Sequence, residues 1–167
     1  LHKVIAHNGI NFDHLSCKLY FDMDYTIGGL DGESDTWCGR EVDIVDSMIL
    51  SKTLNSDRMC GHSLDKLSKV AGGAEKVDFR PHVPKKDKYA TFAADMLYYN
   101  IFDVKSNTDV YNYLEKERKQ DDWNWDAAIR LEKKVAEIVT RSSHRGFKFD
   151  IELAEKCIKE LDELMEE

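Results

Sequence analysis

Two prolines in 167 residues, Pro81 and Pro84, leave nearly the whole chain free to run in helices and strands. No apolar run approaches the roughly 20 residues that a membrane-spanning helix needs. No basic stretch followed by an apolar one opens the chain, so no secretory leader is read from it. The cysteines, Cys17, Cys38, Cys60 and Cys157, are widely spaced and form no Cys-x-x-Cys pair. Reduced thiols in a cytoplasmic compartment are therefore expected rather than a disulfide framework. Cys38, Cys60 and His62 are zinc-type ligands, but the second close pair of a structural zinc site is missing. No acidic residue precedes Asn8. The chain opens on Leu1 and passes at once into Val4-Ile5-Ala6, as a chain cut from something longer would.

What is present has the balance of a folded domain: 42% hydrophobic and 34% charged residues exclude a disordered, solvating chain. The length suits one domain, or one domain with a short extension. The net charge of −8 argues against a nucleic-acid partner only until its distribution is read. From Asp150 to Glu167 eight acids stand against Lys156 and Lys159, so this tail carries most of the excess. The rest is close to neutral, with one basic cluster at Arg80, Lys85, Lys86 and Lys88 that suits either phosphate contact or a solvated loop.

Hydrophobic patterning predicts a short buried strand over His2 to Ala6, ended by the turn pair Asn8-Gly9. A helix follows over Phe12 to Tyr20, with Leu15 and Leu19 on one face. Asp22 to Gly39 has no sustained period and reads as a loop or an irregular hairpin, an insertion. Val42 to Val45 is a second strand, and a helix runs from Ser47 to Asn55. Ser63 is placed to cap a helix over Leu64 to Val70 that Gly72 ends. Further helices are predicted over Tyr89 to Asn100, Asn107 to Arg118 and Trp125 to Arg145. The last of these has Ala128, Leu131, Val135, Ile138 and Val139 at helical spacing. Gly146 to Asp150 breaks the pattern. Asp150 can cap a final helix with Leu153, Cys157, Leu161 and Leu164 on one side. Early strands separated by helices imply an α/β fold, and the second half is nearly all helix. The composition shift near Gln120 divides 1–119 from 120–167.

Two constellations carry chemistry. Asn8-Gly9-Ile10-Asn11-Phe12-Asp13 sits where the first strand meets the first helix, and α/β sheets bind ligands beyond the carboxyl ends of strands. Asn8 offers an amide to a sugar or phosphate, and Asp13 a carboxylate in the first helical turn. The same residues also make sense as a turn and a helix N-cap. In Tyr99-Asn100-Ile101-Phe102-Asp103, helical spacing puts the Tyr99 hydroxyl and the Asp103 carboxylate on one face. That pair suits metal-assisted hydrolysis, or equally a tyrosine donating to a surface aspartate.

In order and separation the two constellations resemble the second and third motifs of the DEDD exonuclease superfamily, in its tyrosine variant. Asn8-x-x-x-Phe12-Asp13 is similar to the second motif and Tyr99-x-x-x-Asp103 to the third. Val42 to Ser51, His62-Ser63-Leu64-Asp65-Lys66-Leu67 and Arg145-Gly146-Phe147-Lys148-Phe149-Asp150 look like the segments that follow in the 3′–5′ exonuclease domain of phage-type family A DNA polymerases. The resemblance covers most of the chain except Asp22 to Gly39. It implies a partial RNase H-like fold lacking its first strands, then a helical start of a polymerase domain from residue 120. It implies two divalent ions, Mg²⁺ or Mn²⁺, between four carboxylates. Asp103 and Asp13 would be metal ligands, and Tyr99 would orient the attacking water. Asn8 and Phe12, with Lys85 and Lys86 of the basic cluster, would contact DNA. Asp46 reads as structural.

The family's first motif, Asp-x-Glu, has no counterpart before Asn8, and Asp22-x-Asp24, Asp43 and Asp46 lie on the wrong side of the second motif. Two of the four carboxylates are thus expected to be missing, and the strand at Val4–Ala6 is expected to have an unpaired edge. The resemblance implies as partners a single-stranded 3′ end or primer-template DNA, the remainder of a polymerase chain and a processivity factor, in the cytoplasm of a host cell if viral. A stand-alone nuclease and a non-catalytic module that binds nucleic acid or a partner are the competing readings. Changing Lys85 and Lys86 to Ala is expected to flatten the salt dependence of single-strand DNA binding. An unchanged slope in a filter-binding titration removes those lysines from the contact.

Overall fold

The structure is a computed structural model that describes residues 2–29, 31–73, 91–120 and 122–166. The sequence-predicted basic cluster, with Lys85 and Lys86 and both prolines, lies outside the described residues. The described chain is α/β, with a four-stranded mixed sheet and six helices. Strand β1 (His2–Ala6) leads through α1 (Asp13–Phe21) into the short strands β2 (Tyr25–Thr26) and β3 (Asp35–Trp37) and then β4 (Arg40–Asp46). Four helices follow before the last: α2 (Ser47–Leu54), α3 (Leu64–Val70), α4 (Ala94–Arg118) and α5 (Asp126–Arg145); the last is α6 (Ile151–Glu166).

The sheet order is β1-β4-β3-β2. β1 and β4 run parallel, with Val4 opposite Ile44 and Ala6 opposite Asp46. β4 pairs antiparallel with β3, and β3 with β2. The stretch read as an insertion therefore forms a real hairpin that widens the sheet at its far side. β1 is the terminal strand, so among the described residues one of its edges is without a partner strand, as expected from the sequence.

Two apolar clusters hold these elements. Ile10, Tyr25, Ile27, Val42 and Ile44 pack around the sheet. Leu50, Leu67, Val110 and Leu114 join α2, α3 and α4. Fully burying one such side chain stabilises the fold by roughly 1.5–3 kcal/mol, and each of these nine residues contributes on that scale. Gly72 takes φ +76° just beyond α3, the left-handed turn expected there. Asp150 caps α6 by accepting from the Leu153 amide at 3.0 Å.

Two features depart from the sequence reading. The segments around Tyr89–Asn100 and Asn107–Arg118 are not separate helices: α4 is continuous from Ala94 to Arg118. Side chains such as Ser106, Asn107 and Thr108 can compete for backbone groups and interrupt a helix. Here Thr108 donates to the Val104 carbonyl at 2.9 Å and Asn107 bonds outside the helix, so the backbone ladder runs through.

The second departure concerns α5. Its apolar stripe is turned outward: Leu131, Val135, Ile138 and Val139 are exposed, while Lys133, Glu137 and Thr140 are buried. The reason is polar. Lys133 Nζ reaches Asp35 at 2.5 Å and the Ile44 carbonyl at 2.8 Å. Asp35 also accepts from the Gly28 and Ile44 amides, at 2.8 and 2.9 Å. One buried ion pair thus ties the hairpin, the central strand and α5 together. Removing one partner of such a pair leaves a buried charge uncompensated. Lys133→Met is expected to destabilise the chain by about 3 kcal/mol, read as a lower urea midpoint. An unchanged midpoint would show that α5 does not dock through Lys133.

Candidate functional site

The site is built at the carboxyl end of β1. The chain turns there because Asn8 adopts φ +62°, a conformation that asparagine tolerates better than most residues. Gly9 is buried against Ala6 and His14, and a Cβ at Gly9 would stand 2.3 Å from the Ala6 Cβ. No side chain larger than hydrogen fits unless the strand and helix separate.

Asp46, at the end of the neighbouring strand, fastens this turn. Its carboxylate accepts from the Asn8 amide at 2.9 Å and the Ile10 amide at 3.2 Å. It also caps α2, accepting from Met48 at 3.0 Å and Ile49 at 3.3 Å. With four backbone N–H groups on one buried carboxylate, Asp46 has the structural role read from the sequence.

α4 is laid along β1 in a matched period. Tyr111 accepts from Lys3 at 2.7 Å, and Asn107 donates to the Ile5 carbonyl at 3.4 Å. Two residues of strand rise about 6.7 Å, and four residues of helix about 6 Å. The next step along the helix is Asp103, whose charge acts on His7, and the step beyond is Tyr99. Ser47 locks the register by donating to Asn107 at 2.7 Å. The same Ser47 hydroxyl is hydrogen-bonded to His7 Nδ1 across 2.8 Å. Asn107, Tyr111, Ser47 and His7 were missed in the sequence; the four-residue spacing of Tyr99, Asp103, Asn107 and Tyr111 was the signal that could have found the two on α4.

The structure thereby brings Asp13 and Asp103 into one field, although 90 positions separate them. The Asp13 carboxyl is raised above its ordinary value, first by partial burial and then by the negative charges of Asp46 and Asp103. Asp13 is not the helix N-cap: that position belongs to Phe12, and no side chain caps α1. Its carboxylate is therefore not used up by the local backbone. Phe12 is 67% exposed, available for stacking, while Tyr99 and Asp103 are half-buried. Asn8 accepts from the Asn11 amide at 2.8 Å, and Asn11 in turn accepts from Thr140 of α5. His7 is held below its ordinary pKa, chiefly by burial and against the pull of Asp46.

A groove of about 470 Å³ between α2 and α5 opens beside Asn8 and Asn11. A cavity of about 490 Å³ elsewhere under β4 is lined by none of Asn8, Phe12, Asp13, Tyr99 or Asp103. Among the described residues no group of three or more His, Cys, Asp or Glu side chains is arranged to hold a metal, and Cys38, Cys60 and His62 form no zinc site. All four cysteines are free thiols. No described helix is long and apolar enough to cross a membrane. No family model, curated protein or solved structure matches the chain.

The raised pKa of Asp13 has a consequence for stability. Ionising a group whose folded pKa lies above its ordinary 3.8 destabilises the fold. The penalty is complete above the raised value and disappears as the pH falls to the ordinary one. Asp13→Asn is thus expected to raise Tm near neutral pH and to leave it unchanged below about pH 3.5. Thermal unfolding of both proteins at the two pH values checks this; an equal shift at both would assign the effect to packing instead.

Proposed function

We propose that the chain is part of a proofreading 3′–5′ exonuclease of a family A DNA-directed DNA polymerase, carrying the later two motifs of a partial RNase H-like fold. The observation that carries the reading is that Asp13, in the first turn after β1, lies within the electrostatic reach of Asp103 on α4. The sequence resemblance links these same two residues, and α4 delivers the second of them in register with the strand that precedes the first. The substrate is the 3′-terminal nucleotide of single-stranded or frayed primer DNA.

The residues suit a divalent cation, Mg²⁺ or Mn²⁺, in one respect: beyond the effect of burial, the negative charges of Asp46 and Asp103 add to the raising of Asp13. Asp46 is committed to backbone amides, so Asp13 and Asp103 would hold the ion. When bound, such an ion lowers the pKa of water and offsets charge on the phosphate. Tyr99, one turn before Asp103, orients the water that attacks phosphorus. The bond to the preceding 3′ oxygen breaks, and a nucleoside monophosphate leaves. Phe12 stacks on a terminal base and Asn8 holds its sugar or phosphate. These contacts position the end of the strand without reading its sequence.

Two carboxylates make a weak site, and no Asp-x-Glu stands before Asn8 to complete it. The chain by itself is expected to bind Mg²⁺ weakly and to hydrolyse DNA slowly or not at all. Tight two-ion binding by calorimetry with normal exonuclease turnover would overturn that. Mn²⁺ binding, followed by electron paramagnetic resonance, is expected to weaken about tenfold, or ~1.4 kcal/mol, in Asp103→Asn. Undiminished binding in that variant would remove Asp103 from the site and favour the non-catalytic binding module.

A further inference from the structure

The exposed apolar face of α5 has a counterpart in the same chain. α6 is exposed from Ile151 to Met165 apart from Ala154, with Ile158 57%, Leu161 59% and Met165 83% accessible. Helices with one apolar stripe are stable when that stripe is covered. Here two unpaired stripes stand on consecutive helices of 20 and 16 residues.

The two stripes are mirror images in sequence. Counting outward from Lys148, the middle of the connection, Cys157 falls opposite Val139, Ile158 opposite Ile138, Leu161 opposite Val135 and Met165 opposite Leu131. An antiparallel pair of helices joined by a short loop aligns residues in this way. The connection from Gly146 to Asp150 is within the usual length for helical hairpins. Gly146 takes φ +69°, which turns the chain as it leaves α5. The charges are also complementary: α5 carries five Lys or Arg against three Asp or Glu, and α6 carries six acids against two lysines. The buried face of α5 is already committed through Lys133 to Asp35, so its apolar stripe is the face left to cover.

We propose that α6 folds back on α5 as an antiparallel helical hairpin, closing its apolar face over Leu131, Val135, Ile138 and Val139. The occupant of the α5 stripe is thus this chain's own last helix rather than a second copy, and the acidic tail is an intramolecular cover. None of Asp13, Tyr99 or Asp103 takes part, and the proposal meets the nuclease reading only where Leu131, Val135 and Val139 line the groove beside Asn8.

Cys157 supplies the test. In the dilute full chain, Val139→Cys with native Cys157 is treated with a short bismaleimide, and the linked peptides are identified by mass mapping, so the other cysteines stay in place. Arg141→Cys, on a side chain 77% exposed and off the stripe, is the control. The 139–157 link is expected to form within one chain about tenfold faster than the 141–157 link, and Leu161→Asp to slow it by a similar factor. Equal rates for the two positions, insensitivity to Leu161→Asp, or a 139–157 link found only between two chains would overturn the proposal.

Discussion

The Asp46 carboxylate holds the chain together at the point where its two parallel strands end. It has two oxygens, and each is spent on backbone N–H groups that no helix or sheet ladder would otherwise satisfy. One pair lies in the turn leaving β1 and the other in the first turn of α2. A single side chain thus fixes the distance between the two strand ends and the direction in which both helices start. Charge-assisted bonds to amides are what make burial of a carboxylate tolerable there. The same charge reaches Asp13, so the group that builds the site also helps to set the ionisation of the residue within it.

α4 depends on that frame. Its contacts with β1 pass through Tyr111, Asn107 and Ser47, and Ser47 is the residue immediately after Asp46. If the cap shifted, the register lock would shift with it. The geometry at Asp103 is therefore set twice, by the match between strand rise and helix rise and by one hydroxyl that must choose a single acceptor. A motif of tyrosine and aspartate four apart says only that two side chains share a helix face. Which surface that face meets is settled by Asn107 and Tyr111, further along the same stripe.

Much of the α/β arrangement was legible in the sequence because its signals are local. Val4-Ile5-Ala6 before Asn8-Gly9, and Val42 to Val45 before Ser47, are short apolar runs closed by turn or cap residues, and both are strands. Asp13 and Asp103 stood out through their neighbours and spacing, and they do share a field. Long-range polar contacts were not legible. The helix read as starting at Asn107 is the later part of α4, and nothing in the sequence says that Ser47 and the Ile5 carbonyl will satisfy Asn107. The stripe of α5 announced a helix but not which side would be buried. Lys133 and Asp35 decide that, 98 positions apart, and a lysine in an amphipathic pattern gives no sign of being an anchor.

His14 follows Asp13 directly and is almost wholly enclosed, at 1% exposure, between the rings of Tyr25 and Trp37 at 5.2 and 5.1 Å. Neither ring nitrogen has a hydrogen-bond partner, and burial holds the imidazole below its ordinary pKa. The unfolded chain then takes up this proton more readily than the folded one. The stability that neutral His14 contributes is complete above its ordinary 6.5 and is lost as the pH falls through that value toward the lower folded one. Asp13 works in the opposite sense at more acid pH. Two adjacent residues on one turn of α1 therefore bend the acid limb of the stability curve in contrary directions, with a shoulder between them in place of a single slope.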